Sequence, residues 1–552
     1  MRRPLPSSLP LLATVIALSV GAGTGWSAEP TPVNQVFQFM QAGTCTAWSD
    51  GQPTKATSYL WIPEACTRLR GLVIMCANVP EHRLVGHEKI RKACTDNDLG
   101  IVWSTPSFMN FKRTEPGKPK MSEEHGTSVA FLQQQLDGLA KISGYAEVAT
   151  VPWLPMGESG HLIMVDALME TRPDHCIAGI FIKNSHLPPK NRQTPTLVVY
   201  GTAQEWGQDK SDIRSQWNNV GKTYDGILNQ RKNNPDWPFS YLIDGESGHF
   251  DCSERLTAYF ARYIDLVAKA RLSTDGSPTL KPIAITSGFV ADLPVPGHAG
   301  KPVQAATAKS PLPWFFSEDQ AKEAQAIASI NWQAETQLPQ FLDAQHQPLP
   351  HDFNGITAIK SVAFEADGLT FTVRTSLAET IPTDFLNPGE KLAQGPGTPT
   401  IEWLCGPLEP LGGNRFRIAL DRVWLGGGGT YLGARQAGTP TIRGILEPTG
   451  VDLRSLRNAK GKAQKITFDP IPDPDSGATT VNLTASADSG LPVSFFVVAG
   501  PAIIDGGKAV LTSIPPRTKR PVEVTIAAWQ WGRADEPQVR MAEIVRQTFR
   551  VK

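Results

Sequence analysis

The sequence predicts a multidomain protein in which a doubly wound α/β domain with a mostly parallel sheet is followed by β-sandwich-like regions. Three observations predict it. At 552 residues the chain exceeds what one hydrophobic core serves. Between about 57 and 270, short apolar runs alternate with segments of helical length, the pattern of parallel strands joined by crossover helices. After Arg271 that alternation gives way to short apolar runs among proline-rich turns.

Residues 1–28 read as a secretory signal peptide rather than fold. Arg2 and Arg3 precede an apolar stretch at 9–20, and small residues follow at 21–27. Cleavage after Ser27, with Gly25 three residues inside, suits the small-residue rule, and no Cys stands at the cut to carry a lipid. No later stretch holds about 18 unbroken apolar residues, so the expectation is a secreted or periplasmic protein without a membrane span.

The α/β domain is expected over 29–271. Its strands are predicted at 58–62, 72–77, 101–105, 148–154, 176–182, 196–200 and 239–243, and its helices at 85–98, 127–142, 161–170 and 213–230. A closing helix at 253–270 places Leu256, Tyr259, Phe260, Tyr263, Ile264 and Val267 on one apolar stripe. The run Ser273-Thr274-Asp275-Gly276-Ser277-Pro278 reads as a linker. A β-rich region is expected over 272–463, with strands at 362–364, 369–373 and 416–420 and one helical piece at 317–330. The glycine run 426–429 lacks the Gly-Lys-Ser/Thr of a phosphate loop and reads as a turn.

Lys plus Arg and Asp plus Glu number 53 each, a balance that argues against nucleic-acid binding. Seven cysteines, six of them in the first half, leave two readings open in an exported chain, disulfides or buried thiols. No cysteine or histidine spacing fits a metal, and no cofactor is expected.

Chemistry is concentrated at Met156-Gly157-Glu158-Ser159-Gly160-His161, between two apolar runs. A strand, a sharp glycine-flanked turn with Ser at its apex and then a helix expose a nucleophilic hydroxyl. Ser alone is a poor nucleophile. It needs an imidazole to take and return its proton, and a carboxylate to hold that imidazole in one tautomer. Gly245-Glu246-Ser247-Gly248-His249-Phe250 offers a loop His between a strand and the closing helix.

These residues resemble the α/β-hydrolase superfamily over about 55–271, in which Ser, acid and His follow in that order. The resemblance implies Ser159 as nucleophile and His249 as base. It places the acid in the loop after 196–200, where Gly201-Thr202-Ala203-Gln204-Glu205-Trp206 follows. Gln204 holds the commonest acid position, so Glu205 stands one residue late, with Asp209 the alternative. The oxyanion is expected on the backbone N–H of Gly160 and of Asn78 or Val79. His161 departs from the family's small residue at that place and reads as a packed helix-start His. His125, His186 and the pair His82/His87 read as structural or surface residues.

The last segment, 464–552, resembles an immunoglobulin-like repeat of bacterial surface and secreted proteins. Ile466-Thr467-Phe468, the run Leu483-Thr484-Ala485-Ser486-Ala487-Asp488-Ser489-Gly490-Leu491-Pro492-Val493-Ser494-Phe495 and Gly500-Pro501-Ala502 carry that likeness. Val522, Val524 and Ile526 alternate with polar residues as a half-buried strand does.

Three functions fit the sequence. The first is a secreted serine esterase acting on a small-molecule or polymer ester, with acetylated or feruloylated polysaccharide as its leading substrate. The others are a catalytically inactive, hydrolase-like surface or adhesion protein, and a peptidase of the same fold. Trp153 and Trp206, beside the elbow and the acid loop, are either core residues or stacking surfaces for a sugar or aryl group.

Overall fold

Eight strands form the sheet that carries the candidate site in this computed structural model. It describes residues 35–46, 53–108, 112–115, 118–120, 125–183, 191–203, 212–274, 277–351 and 355–552. In chain order the strands are β1 (Phe39–Thr46), β2 (Pro53–Trp61), β3 (Gly71–Cys76), β4 (Leu99–Thr105), β5 (Trp153–Glu158), β6 (Gly179–Ile182), β7 (Thr196–Ala203) and β8 (Phe239–Gly248). They lie in the order β1-β2-β4-β3-β5-β6-β7-β8. The β1–β2 and β2–β4 pairs are antiparallel, and every later pair is parallel. This is the α/β-hydrolase fold, with β5 at the centre.

The central strands are near-continuous apolar runs because both faces are covered. All six residues of β3 and all seven of β4 are buried. Helices α1 (Val79–Leu84), α2 (Glu88–Asp96), α3 (His125–Ser143), α4 (Leu162–Thr171), α5 (Ser215–Asn233) and α6 (Glu254–Arg271) connect the strands. The stripe expected on the closing helix is buried along α6, and Ser253 caps it by accepting from Leu256 N at 3.2 Å.

Two predicted elements of the α/β domain are corrected. The strand expected at 148–154 is displaced to Trp153–Glu158, and Ala146–Ala149 is a 3₁₀ turn. Pro152 has no N–H to give to a ladder, so pairing begins only beyond it. The helix expected at 85–98 is α2 alone, shortened to Glu88–Asp96, where His87 caps it by accepting from Lys89 N at 3.2 Å; a separate helix, α1, precedes it at Val79–Leu84. The antiparallel edge strand β1 was not anticipated, since Gly43 and the threonines around it interrupt any apolar alternation.

The apolar core continues past Arg271. Ala291, Leu293, Phe315, Ala321, Ala324 and Ile327 join the buried cluster of the α/β domain, several of them from α7 (Glu318–Ala328). Ser240 on β8 donates to Trp314 O at 2.7 Å. The helix expected at 317–330 is therefore present and buttresses the last strand.

Beyond it, a four-stranded sheet takes Thr357–Ile359, Ile445–Val451, Tyr431–Gln436 and Thr400–Cys405 in that order. It shares a core with a three-stranded sheet built from Thr370–Thr372, Arg415–Ile418 and Leu408–Gly412. Phe364 contributes only an isolated bridge to Phe371, so no strand forms at 362–364. The final segment is a second β-sandwich. One sheet holds Ser494–Ala499, Val522–Trp529 and Val545–Val551, and the other holds Thr480–Asn482, Lys508–Leu511 and Ala502–Asp505. Among the described residues no helix is long and apolar enough to cross a membrane.

Candidate active site

The turn after β5 adopts the geometry that its glycines suggest. Ser159 has φ +52°, a left-handed conformation that an L-residue keeps only when its surroundings enforce it. Gly157 is required by close approach, because a Cβ there would meet His161 O at 2.6 Å. A short 3₁₀ turn, Ser159–His161, leads directly into α4.

His249 reaches this turn from the end of β8. The strand carries a register shift between Asp244 and Gly248, Glu246 has φ +63°, and Asp251 N closes a turn onto Gly248 O at 3.2 Å. The ring is 2% exposed, and its Nε2 lies 2.8 Å from Ser159 Oγ. Two of the residues predicted from sequence are therefore in hydrogen-bond contact although 90 positions apart. The acid candidates Glu205 and Asp209 lie outside the described residues, as do Gln204, Trp206, His186 and the segment read as a signal peptide.

A carboxylate that sequence reading did not single out stands beside the pair. Glu158, immediately before the Ser and wholly buried, places Oε1 3.0 Å from His249 Nε2. Asn78 Nδ2 donates to the other oxygen, Glu158 Oε2, and at 3.0 Å to Glu158 O. Glu158 N in turn donates to Glu81 Oε1 at 2.7 Å. The signal available in the sequence was only that an acid precedes the nucleophile.

Those contacts fix the segment Asn78-Val79-Pro80-Glu81 against the elbow. Asn78 is the N-cap residue of α1, and its side chain is committed to Glu158 rather than to capping. The N–H groups of Val79 and Gly160 belong to first helical turns, where no intrahelical acceptor exists. His161 is buried with Nδ1 3.6 Å from Glu81 Oε1, which gives the bulky ring its place in the turn.

The loop carrying His249 is braced on both sides. From the residue that follows β6, the buried Lys183 Nζ contacts Asp244 Oδ2 at 2.9 Å and Ser247 Oγ at 2.5 Å. Burial alone would raise the Asp244 pKa, but Lys183 and Arg255 outweigh it and hold the carboxyl below its usual range. From the β-rich region, Arg435 grips Asp251 (Nη2 to Oδ1, 2.8 Å) and Glu402 (Nε to Oε1, 2.6 Å). Burial would lower the Arg435 pKa, but the two carboxylates hold it above its ordinary value.

The same region covers the site. Leu404, Cys405 and Leu446 form one buried cluster with Val79 and Phe250, and Tyr431 stacks on Phe250 at 5.1 Å between centroids. Gly406 N donates to His82 Nδ1 at 3.0 Å, which leaves the ring proton on Nε2, 3.2 Å from Asp421 Oδ2. His82 and His87 are thus structural, the latter pairing with Glu254 Oε1 at 2.6 Å. Trp153 is core: it is fully buried, with His175 edge-on at 4.6 Å.

All seven cysteines are free and buried. Burial pushes the thiols of Cys66, Cys76, Cys94 and Cys252 up to about 12. Among the described residues no cluster of three or more His, Cys, Asp or Glu side chains is arranged to hold a metal ion.

No protein-family model matches the chain, and no curated protein matches it. Among solved structures, poly(aspartic acid) hydrolase-1 from Sphingomonas sp. KT-1 is similar at 14% identity, over 42% of this chain and 99% of that one, with a TM-score of 0.29. The poly(3-hydroxybutyrate) depolymerase LpqC from Bordetella parapertussis aligns at 15% identity over 43% and 92%, with a TM-score of 0.28. A ferulic acid esterase aligns at 14% identity over 42% and 98%, with a TM-score of 0.27. The fold assignment itself rests on the strand order and directions given above.

Proposed function

We propose that the protein is a serine hydrolase that cleaves carboxylic esters through an acyl-enzyme intermediate. The observation that carries this reading is the strained Ser159, at the apex of the central strand, with its hydroxyl 2.8 Å from His249 Nε2. His249 accepts the Ser159 proton as the oxygen attacks the ester carbonyl, then returns it to the leaving alcohol. The oxyanion is stabilised by the backbone N–H of Gly160 and by the Asn78–Val79 turn, which the Asn78–Glu158 contacts keep beside the elbow. The imidazolium formed in the first step has the Glu158 carboxylate at Nε2. Glu205, or Asp209 in its place, is the acid proposed to orient the ring.

Export through the N-terminal segment and an ester of an acetylated or feruloylated polysaccharide complete the reading. They rest on the leader-like sequence and on the appended β domains. Turnover of p-nitrophenyl acetate by wild type and Ser159→Ala tests the hydrolase. The reading expects the variant to lose at least about 1000-fold in kcat. Equal rates would leave the inactive, surface-protein reading in its place. A panel of acetylated xylan, feruloyl esters and dipeptide amides then separates esterase from peptidase.

A further inference from the structure

A cavity of about 520 Å³ lies where the three parts of the chain meet, on the β1–β2–β4 side of the sheet. That volume falls within the roughly 300–1,000 Å³ of small-molecule sites. Its walls come from β1, β2 and the end of β4, from Leu425-Gly426 of the central region, and from Val498 and Arg546 of the last sandwich. It borders Thr105, at the C-terminal end of β4, which runs parallel to β3 and β5. Thr105 ends β4, two strand positions from β5, a lateral offset of about 10 Å.

The chemistry of the lining is one-sided. Lys55 and Arg546 are both exposed, and among the described residues neither has an acidic partner and no carboxylate lines the cavity. Thr44 and Thr57 add hydroxyls to the walls, and the buried Tyr59 hydrogen-bonds to Thr57 behind them. Thr105 Oγ1 is buried behind the lining and has no hydrogen-bond partner among the described residues. Gly426 is what brings the central region so close, since a Cβ there would meet that oxygen at 2.1 Å. Met40, Leu425 and Val498 supply apolar surface. Two cations would bind a carboxylate through charge-assisted hydrogen bonds, the hydroxyls suit a hydroxyl-rich ligand, and the apolar patch suits the C–H face of a sugar ring.

We infer that this cavity is a binding site for an acidic sugar, with Lys55 and Arg546 taking its carboxylate. The site is separate from Ser159 and does not depend on the catalytic reading. The probe is digalacturonate, titrated calorimetrically into the full chain, with cellobiose as the neutral control. Wild type and Ser159→Ala should bind digalacturonate equally, and raising NaCl from about 20 to 200 mM should weaken both. Lys55→Met/Arg546→Met should weaken binding by about tenfold or more. Ala42→Trp, which places a large ring in the cavity from an exposed position of β1, should abolish it. Both variants should melt as wild type does and keep its p-nitrophenyl acetate rate. Absence of binding, equal binding of cellobiose, or undiminished binding by Ala42→Trp would each overturn the assignment.

Discussion

Replacing Arg435 by Met removes the guanidinium that ties Asp251, in the loop after His249, to Glu402 and the sheet of the β-rich region. Asp251, two residues beyond His249, is 2% exposed and takes both Arg435 Nη atoms, at 2.8 and 3.3 Å. Breaking a buried ion pair from one side costs about 3–5 kcal/mol, because the remaining charge stays buried without compensation. Arg435 is itself 27% exposed, so solvent screening brings the expectation down to about 2 kcal/mol. That corresponds to a fall of roughly 4–8 °C in the melting temperature for a domain of about 200 residues. The rate should suffer too, since a shift of about 1 Å in a catalytic group costs up to about 100-fold. Arg435→Met should therefore melt several degrees lower and lose about 10–100-fold in kcat/KM on p-nitrophenyl acetate. Adding Asp251→Asn removes the stranded charge and should recover more than half of the lost stability. An Arg435→Met protein with wild-type melting and kinetics would refute the view that the β-rich region holds the site in place.

Further outcomes follow from the same geometry. Glu158→Gln should lower kcat about 10–100-fold with little change in KM, because the carboxylate at His249 Nε2 acts on the imidazolium rather than on bound substrate. Asn78→Ala takes the Asn78 donor away from the buried Glu158 carboxylate and should cost about 1–3 kcal/mol in urea unfolding. The acid dependence has a definite sign. Partial burial would raise Glu254, but its hydrogen bonds to Lys89 and His87 bring it from 4.5 to about 2. Its contribution is full above pH 4.5 and is lost as pH falls toward 2, so Glu254→Gln should flatten that part of the stability profile. A thiol-reactive dye should find the seven cysteines unreactive in the native protein, and all seven should react in guanidinium chloride without reductant. A lower count after denaturation would show disulfides.

The fold was legible wherever periodicity was local. The apolar stripe of α6 and the buried runs of β3 and β4 can be read directly, because burial on one or both faces leaves its mark on the sequence. The β5 boundary was misplaced because Val148 and Val151 are apolar for core packing while Pro152 delays the ladder. The continuation of the α/β core through α7 was hidden behind a linker-like composition at 273–278. At the site, Ser159 and His249 could be named from the turns that present them. Glu158 and Glu81 could not. Their roles depend on α1 folding back against the elbow, a contact 77 residues long in sequence that no local pattern encodes. Nor did any motif announce that Tyr431 and Arg435 would close over Phe250 and Asp251.

Everything proposed for the site depends on Ser159 being a nucleophile activated by His249. Labelling with a fluorophosphonate probe, read by mass spectrometry of the modified peptide, tests it most directly. One adduct per chain is expected, on Ser159, absent in Ser159→Ala and slowed at least about 100-fold in His249→Asn. An unlabelled wild-type protein, or an adduct on another residue, would contradict it.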